Sequence, residues 1–128
     1  MMFHYTKAVS VPLEEALTKL EESLKSEKFG VLWQFDIKEK LQEKGVEFNK
    51  KFIVLEVCNP HEAKRVLEEE SLAGYFLPCK IVVYEENGQT NIGMLKPTAL
   101  IAMLENNALK EIAKDIENRL IGCIDAVG

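Results

Sequence analysis

The sequence predicts an α+β fold: a curved antiparallel sheet with its main helices packed on one face. Two observations carry this. Strand-like segments outnumber long helical stripes, in the order β-α-β-(short α)-β-α-β-β-α-α. Asn87-Gly88, set between two apolar runs, is the strongest hairpin signal in the chain and makes those two strands antiparallel.

Taken in order, Phe3 to Val11 is partly alternating and β-branched, and it ends at Pro12, so it reads as a strand handing over to a helix. Leu13, Ala16, Leu17, Leu20 and Leu24 form a helical stripe, with Glu14, Glu15, Glu21, Glu22 and Lys25 on the solvent side. That helix should stop near Lys28, before Gly30. From Gly30 to Ile37 the alternation of Val31, Trp33, Phe35 and Ile37 with Leu32, Gln34 and Asp36 predicts a strand with one well-buried face. Asp36 and Glu39 resemble a capping box opening a short helix, Lys38 to Lys44, closed by Gly45.

Phe52 to Cys58 is the next strand; if Ile53, Leu55 and Val57 face the helices, Phe52, Val54, Glu56 and Cys58 share the other face. Asn59, Pro60 and Glu62 then form a helix start, with Asn59 as N-cap and Pro60 in the first helical position. This helix is expected to bury Ala63, Val66 and Leu67 and to end near Gly74. A short apolar loop, Tyr75-Phe76-Leu77-Pro78, delivers Cys79 to a strand from Ile81 to Glu86, which the hairpin pairs with Gln89 to Leu95. Helices follow over Thr98 to Leu104 and, after Asn106-Asn107, over Ala108 to about Ile124. The core stripe of the last is Leu109, Ile112, Ala113, Ile116, Leu120 and Ile124, which places Cys123 near the core; Gly122 either permits close helix approach or marks fraying.

Length and charge bound the function. At 128 residues the chain is expected to be one domain, 1–128. Its net charge is −5, with −1 in residues 1–64 and −4 in residues 65–128, including the run Glu68-Glu69-Glu70. A nucleic-acid partner is not expected, because phosphate binding calls for concentrated Lys and Arg. The longest apolar run, Ala99 to Leu104, is far short of the roughly 20 residues of a membrane helix. With no signal-peptide pattern in the first residues, the expectation is a cytoplasmic protein without membrane contact whose three cysteines stay reduced or bind metal.

No Ser-His-Asp order, Gly-rich phosphate loop or Gly-x-Ser-x-Gly elbow is present. The chemistry that remains gathers around two cysteines beside prolines. Cys58 precedes a helix N-cap, where the dipole and free amides favour a thiolate. Cys58 and His61 form a Cys-x-x-His pair to which Cys79 would add a third soft ligand, a set suited to zinc with an open position. Both cysteines also read as small buried hydrophobes at strand ends.

The order and spacing of Val11-Pro12-Leu13-Glu14-Glu15-Ala16-Leu17, Phe29-Gly30-Val31-Leu32, Cys58-Asn59-Pro60, Leu77-Pro78-Cys79 and Val83-Tyr84-Glu85 resemble the domain-of-unknown-function-302 family of small bacterial and archaeal proteins, over nearly the whole chain. The resemblance implies a fold similar to that of TATA-box-binding proteins, often as a homodimer, and carries no established activity. DNA binding is not transferred with the fold. The resemblance also implies an antiparallel meander in which the helix from Pro60 is an insertion between neighbouring strands, so that Cys58 and Cys79 lie at the same end of the sheet.

Three readings follow. The first is a homodimeric binding module whose sheet-end pocket, rimmed by Glu56, Cys58, Asn59, His61, Tyr75, Phe76 and Cys79, takes a small molecule or a metal such as zinc. In the second, a thiol-dependent enzyme or redox sensor uses Cys58 as nucleophile and Cys79 as resolving thiol. The third is a structural protein that dimerises through the open sheet face and carries inert cysteines.

Overall fold

The computed structural model describes residues 2–128. Five strands, β1 (His4–Val9), β2 (Gly30–Asp36), β3 (Phe52–Cys58), β4 (Cys79–Glu86) and β5 (Gln89–Leu95), form one open sheet in the order β1-β5-β4-β3-β2. Every neighbouring pair is antiparallel. Strands β2 to β5 are therefore a meander, and β1 closes the far edge against β5. Helix α1 (Leu13–Ser26) must carry the chain from one edge of the sheet to the other. It does so beneath the sheet, burying Leu13, Ala16, Leu20 and Leu24.

The expected alternation of β3 holds: Ile53, Leu55 and Val57 are buried while Phe52, Val54, Glu56 and Cys58 are half-buried on the opposite face. At the β4–β5 hairpin both turn residues have positive φ, 55° at Asn87 and 73° at Gly88, the backbone that a two-residue turn between twisted strands requires. Helix α5 (Asn107–Asp125) lays Leu109, Ala113, Ile116, Leu120, Cys123 and Ile124 on the core. Cys123 and Ser23 tie α5 to α1 reciprocally: the Ser23 hydroxyl donates to the Cys123 carbonyl at 2.8 Å, and the Cys123 thiol donates to the Ser23 carbonyl at 3.4 Å. A Cβ at Gly122 would meet nothing within 4 Å, and the helix runs on to Asp125, so the glycine marks neither a close approach nor a frayed end.

Four local expectations are corrected. In β2 the register slips between Val31, opposite Val57, and Trp33, opposite Glu56. This bulge splits the alternating set: Val31 stays on the helix-covered face, whereas Trp33 and Phe35 turn to the open face, and Trp33 is 53% exposed. Helix α3 (Pro60–Glu69) stops five residues before Gly74, because Glu70 turns extended and its carboxylate caps Leu72 N–H, starting a tight 3-10 turn over Ser71–Phe76. With the helix cut short, Leu67 is not core but 45% exposed. The helix after β5 begins earlier, at Pro97; α4 (Pro97–Ile101) tightens into a 3-10 turn at Ala102–Leu104 and ends at the left-handed Glu105. Strand β4 begins at Cys79 rather than Ile81, because Val57 and Cys79 pair across the sheet. Helix α2 (Ile37–Glu43) forms as expected, with the Asp36 carboxylate accepting from Glu39 N–H at 3.0 Å.

Candidate functional site

Pairing of Val57 with Cys79 puts Cys58 and Cys79 at the same end of adjacent strands. It also separates them. The pleat turns Cys79 to the helix-covered face with its partner Val57 and leaves Cys58, the next residue along β3, on the opposite face. Cys79 accordingly packs against the core cluster, and both cysteines are free thiols. The two are not direct cross-strand partners, and neither is in a disulfide.

The two cysteines border one small hollow with Phe29, Val57, Val66 and Leu77, but its volume is about 20 Å³. That is room for about one water molecule. His61 lines neither this hollow nor the larger pocket described below. Among the described residues no group of three His, Cys, Asp or Glu side chains is arranged to hold a metal ion, so the Cys58, His61 and Cys79 set expected for zinc is not assembled.

Burial is the main influence on the Cys79 thiol, with the neighbouring Cys58 adding to it, and together they push its pKa up from 9.0 to about 11. At pH 7 roughly one such thiol in ten thousand would be ionised, which does not suit a resolving thiol. The upward shift also links to stability. The contribution is complete below pH 9.0 and is lost as pH rises toward about 11. Native alkylation of Cys79 at pH 8 is expected to run about 100-fold slower than in denaturant and to climb about tenfold per pH unit. Peptide-resolved mass spectrometry measures this; rapid labelling of Cys79 at pH 7 would contradict the half-buried, protonated thiol.

Asn59 is a structural cap. Its side-chain oxygen accepts from the N–H groups of His61 and Glu62 at 3.0 and 3.4 Å, and its amide donates to the Glu27 carbonyl at 3.2 Å. The side chain is buried and committed to this local role, and it does not line the larger pocket. Glu62, read from the sequence as part of a helix start, is also the buried centre of a partly exposed ion cluster. Its carboxylate receives Arg119 from α5 and Arg65 from its own helix. Arg119 donates further to the Glu27 carboxylate at 2.8 Å and to the Glu27 carbonyl at 3.0 Å. Burial, the largest single influence, pushes the Glu62 carboxyl up, but the hydrogen bonds and charges of Arg119 and Arg65 together outweigh it and hold the group below its usual range.

An apolar, ligand-sized space lies on the other side of Cys79. A pocket of about 320 Å³ opens between the 3-10 turn after α3, the sheet end at Cys79 and Leu95, and helices α4 and α5. Four residues, Val66, Leu77, Cys79 and Ile116, wall both this pocket and the small hollow. Its depth is apolar, with Ala73, Phe76, Leu100, Ile101, Leu109 and Ala113. The charged members, Glu56 and Lys80, face each other across β3 and β4. Tyr75, 84% exposed, stands at the mouth.

The α4 wall is held from α5 by the buried Glu117 carboxylate, which accepts from Thr98 N–H at 3.0 Å and from the Thr98 hydroxyl at 2.7 Å. It caps in trans a short helix whose own N-cap residue, Lys96, provides no side-chain bond.

Of the residues singled out from the sequence, the pocket thus gathers Glu56, Tyr75, Phe76 and Cys79, and leaves out Cys58, Asn59 and His61. Lys80 and the α4–α5 wall were missed. Lys80 had a local signal as the cross-strand neighbour of Glu56; the wall is made by residues distant in sequence that read only as core.

Known proteins place the chain. The family model described as "Domain of unknown function DUF302" matches residues 5–127. This protein belongs to the DUF302 family. A solved structure of an uncharacterised conserved DUF302 protein from Bacillus stearothermophilus is 61% identical to it, covers 100% of both chains and superposes with a TM-score of 0.97. No curated protein matches the chain. The DUF302 assignment thus brings a fold and no activity, and no helix of the described residues is long and apolar enough to cross a membrane.

Proposed function

We propose that this DUF302 protein is a small-molecule binding module whose site is the sheet-end pocket beside Cys79. The observation that carries the reading is the pocket itself. At about 320 Å³ it falls at the small end of the range for ligand sites, roughly 300–1,000 Å³, and it combines an apolar interior with a few polar groups at the rim. A recess that leaves leucine and isoleucine side chains of the core partly unpacked has a cost that a purely structural core would avoid. Cys79 contributes a wall rather than a nucleophile, and a zinc site gains no support from the placement of Cys58, His61 and Cys79.

The working unit is a homodimer joined through the open sheet face. That face carries two stacked aromatic pairs, Trp33 with Phe35 at 5.1 Å and Phe52 with Tyr84 at 5.0 Å between ring centroids. Five strands about 4.8 Å apart and about seven residues long present roughly 500 Å² per chain, so two copies would cover about 1,000 Å², enough for a specific interface. Sedimentation is expected to give a dimer for the native chain and a folded monomer for Trp33→Glu; a native monomer would refute the dimer and leave the pocket reading intact.

The binding reading is tested by screening small apolar molecules against the native chain and a pocket-filled variant by ligand-observed NMR. Signals from the native chain that vanish in the variant support it. Equal signals from both, or none from either, would refute it.

A further inference from the structure

We propose, resting on the pocket reading above, that the ligand is a free amino acid with a large apolar side chain. Two features of the pocket point there. A space of about 320 Å³ lies at the small end of the roughly 300–1,000 Å³ of ligand sites, which suits a small molecule on the scale of a leucine or phenylalanine rather than a larger cofactor. Val66, Leu77, Ile101, Leu109 and Ile116 offer that molecule an apolar interior in which only hydrocarbon would be desolvated.

The second feature is the rim. Glu56 and Lys80 are direct cross-strand partners, with Cβ atoms about 5 Å apart, a spacing at which opposite charges normally pair. Among the described residues neither side chain makes an ion pair or a hydrogen bond, so the cross-strand charges are left free toward the pocket rim. A carboxylate head alone would meet Lys80 but press against Glu56, and an ammonium head alone would do the reverse. An α-amino acid carries both charges on one carbon. Its carboxylate reaches Lys80, its ammonium reaches Glu56, and the head stays at the wet edge of the pocket, where neither charge is stripped of water. The side chain then passes round the sheet end at Cys79 and Leu95, from the open face that carries Glu56 and Lys80, and enters between the turn at Ala73 and the α4–α5 wall.

Calorimetric titration with L-phenylalanine, 3-phenylpropanoate and 2-phenylethylamine separates the parts of this assignment. L-phenylalanine is expected to bind at least about tenfold more tightly than either analogue, the effect of one charge-assisted hydrogen bond. Lys80→Ala should bring L-phenylalanine down to the level of 2-phenylethylamine, and Glu56→Gln to the level of 3-phenylpropanoate. An analogue that binds as tightly as L-phenylalanine would overturn the amino-acid head while leaving a ligand pocket in place. Binding of none of the three would overturn both this assignment and the pocket reading.

Discussion

Arg119→Ala is expected to lower the stability of the protein by about 2–4 kcal/mol, below the roughly 3–5 kcal/mol for one partner of a fully buried ion pair because Arg119 is 25% exposed. Arg119 joins three elements. It donates to Glu62 on α3 and to both the carboxylate and the carbonyl of Glu27 at the end of α1, and its guanidinium lies 5.2 Å from the Phe29 ring centroid. The Glu62 side chain is only 11% exposed, so without Arg119 a carboxylate is left out of water with Arg65 alone to meet it. Arg119→Lys should recover less than half of the loss, because an ammonium cannot serve both Glu62 and the two Glu27 acceptors as a planar guanidinium does.

The acid limb of stability provides the sign. Glu62 is held below its ordinary value when folded, so its contribution is present above its unfolded pKa, near 4.5, and is lost as pH falls through the lower folded value. Removing Arg119 takes away a stabilising partner while burial persists, so acid unfolding should begin at higher pH in the variant. Urea denaturation from pH 3 to 7 measures both effects. A loss under about 0.5 kcal/mol, the scale of an exposed pair, would mean that the cluster is a solvated surface feature.

Ala113→Leu should abolish small-molecule binding while changing stability by less than about 1 kcal/mol. In a close-packed core the added carbons would force their neighbours aside, at a cost of about 1–3 kcal/mol. Ala113 is 2% exposed, yet it borders the pocket of about 320 Å³, so a leucine there has space to enter. Unfolding in urea and a ligand titration on the same sample separate the cases. Destabilisation in the overpacking range would mean that α5 and the α4 wall leave no usable space, while near-native stability with intact binding would place the ligand elsewhere.

Much of the fold was legible because its signals are local. The stripe of α1, the alternation of β3 and the Asn87-Gly88 turn each fix an element within a few residues, and Asn59 announces α3 through its own side chain. The β2 bulge was not legible. A slip of one residue carries Trp33 and Phe35 to the open face, and alternation cannot register an inserted residue whose effect depends on the partner strand. The early end of α3 was hidden for a related reason, since Glu70 looks like one more helical glutamate until its carboxylate turns to cap Leu72 N–H.

The candidate site divides the same way. Chemistry-bearing residue types drew attention to Cys58 and His61, which the pocket does not use, whereas its deepest wall consists of leucine and isoleucine from α4 and α5. Those residues carry no mark beyond hydrophobicity. What distinguishes them is an unfilled volume, a property of packing across about 50 residues of chain from Val66 to Ile116 and absent from any local pattern. Cys79 links the two views: it was chosen for reactivity and sits at the pocket as a protonated, half-buried wall.

The most direct test of a ligand-binding pocket is a methyl NMR titration of the Ile, Leu and Val-labelled protein with L-phenylalanine. The expected result is a set of saturable shifts at Val66, Leu77, Leu100, Ile101, Leu109 and Ile116, absent in Ala113→Leu. Shifts confined to Val54 and Val82 on the open sheet face, or no saturable shifts at all, would contradict it.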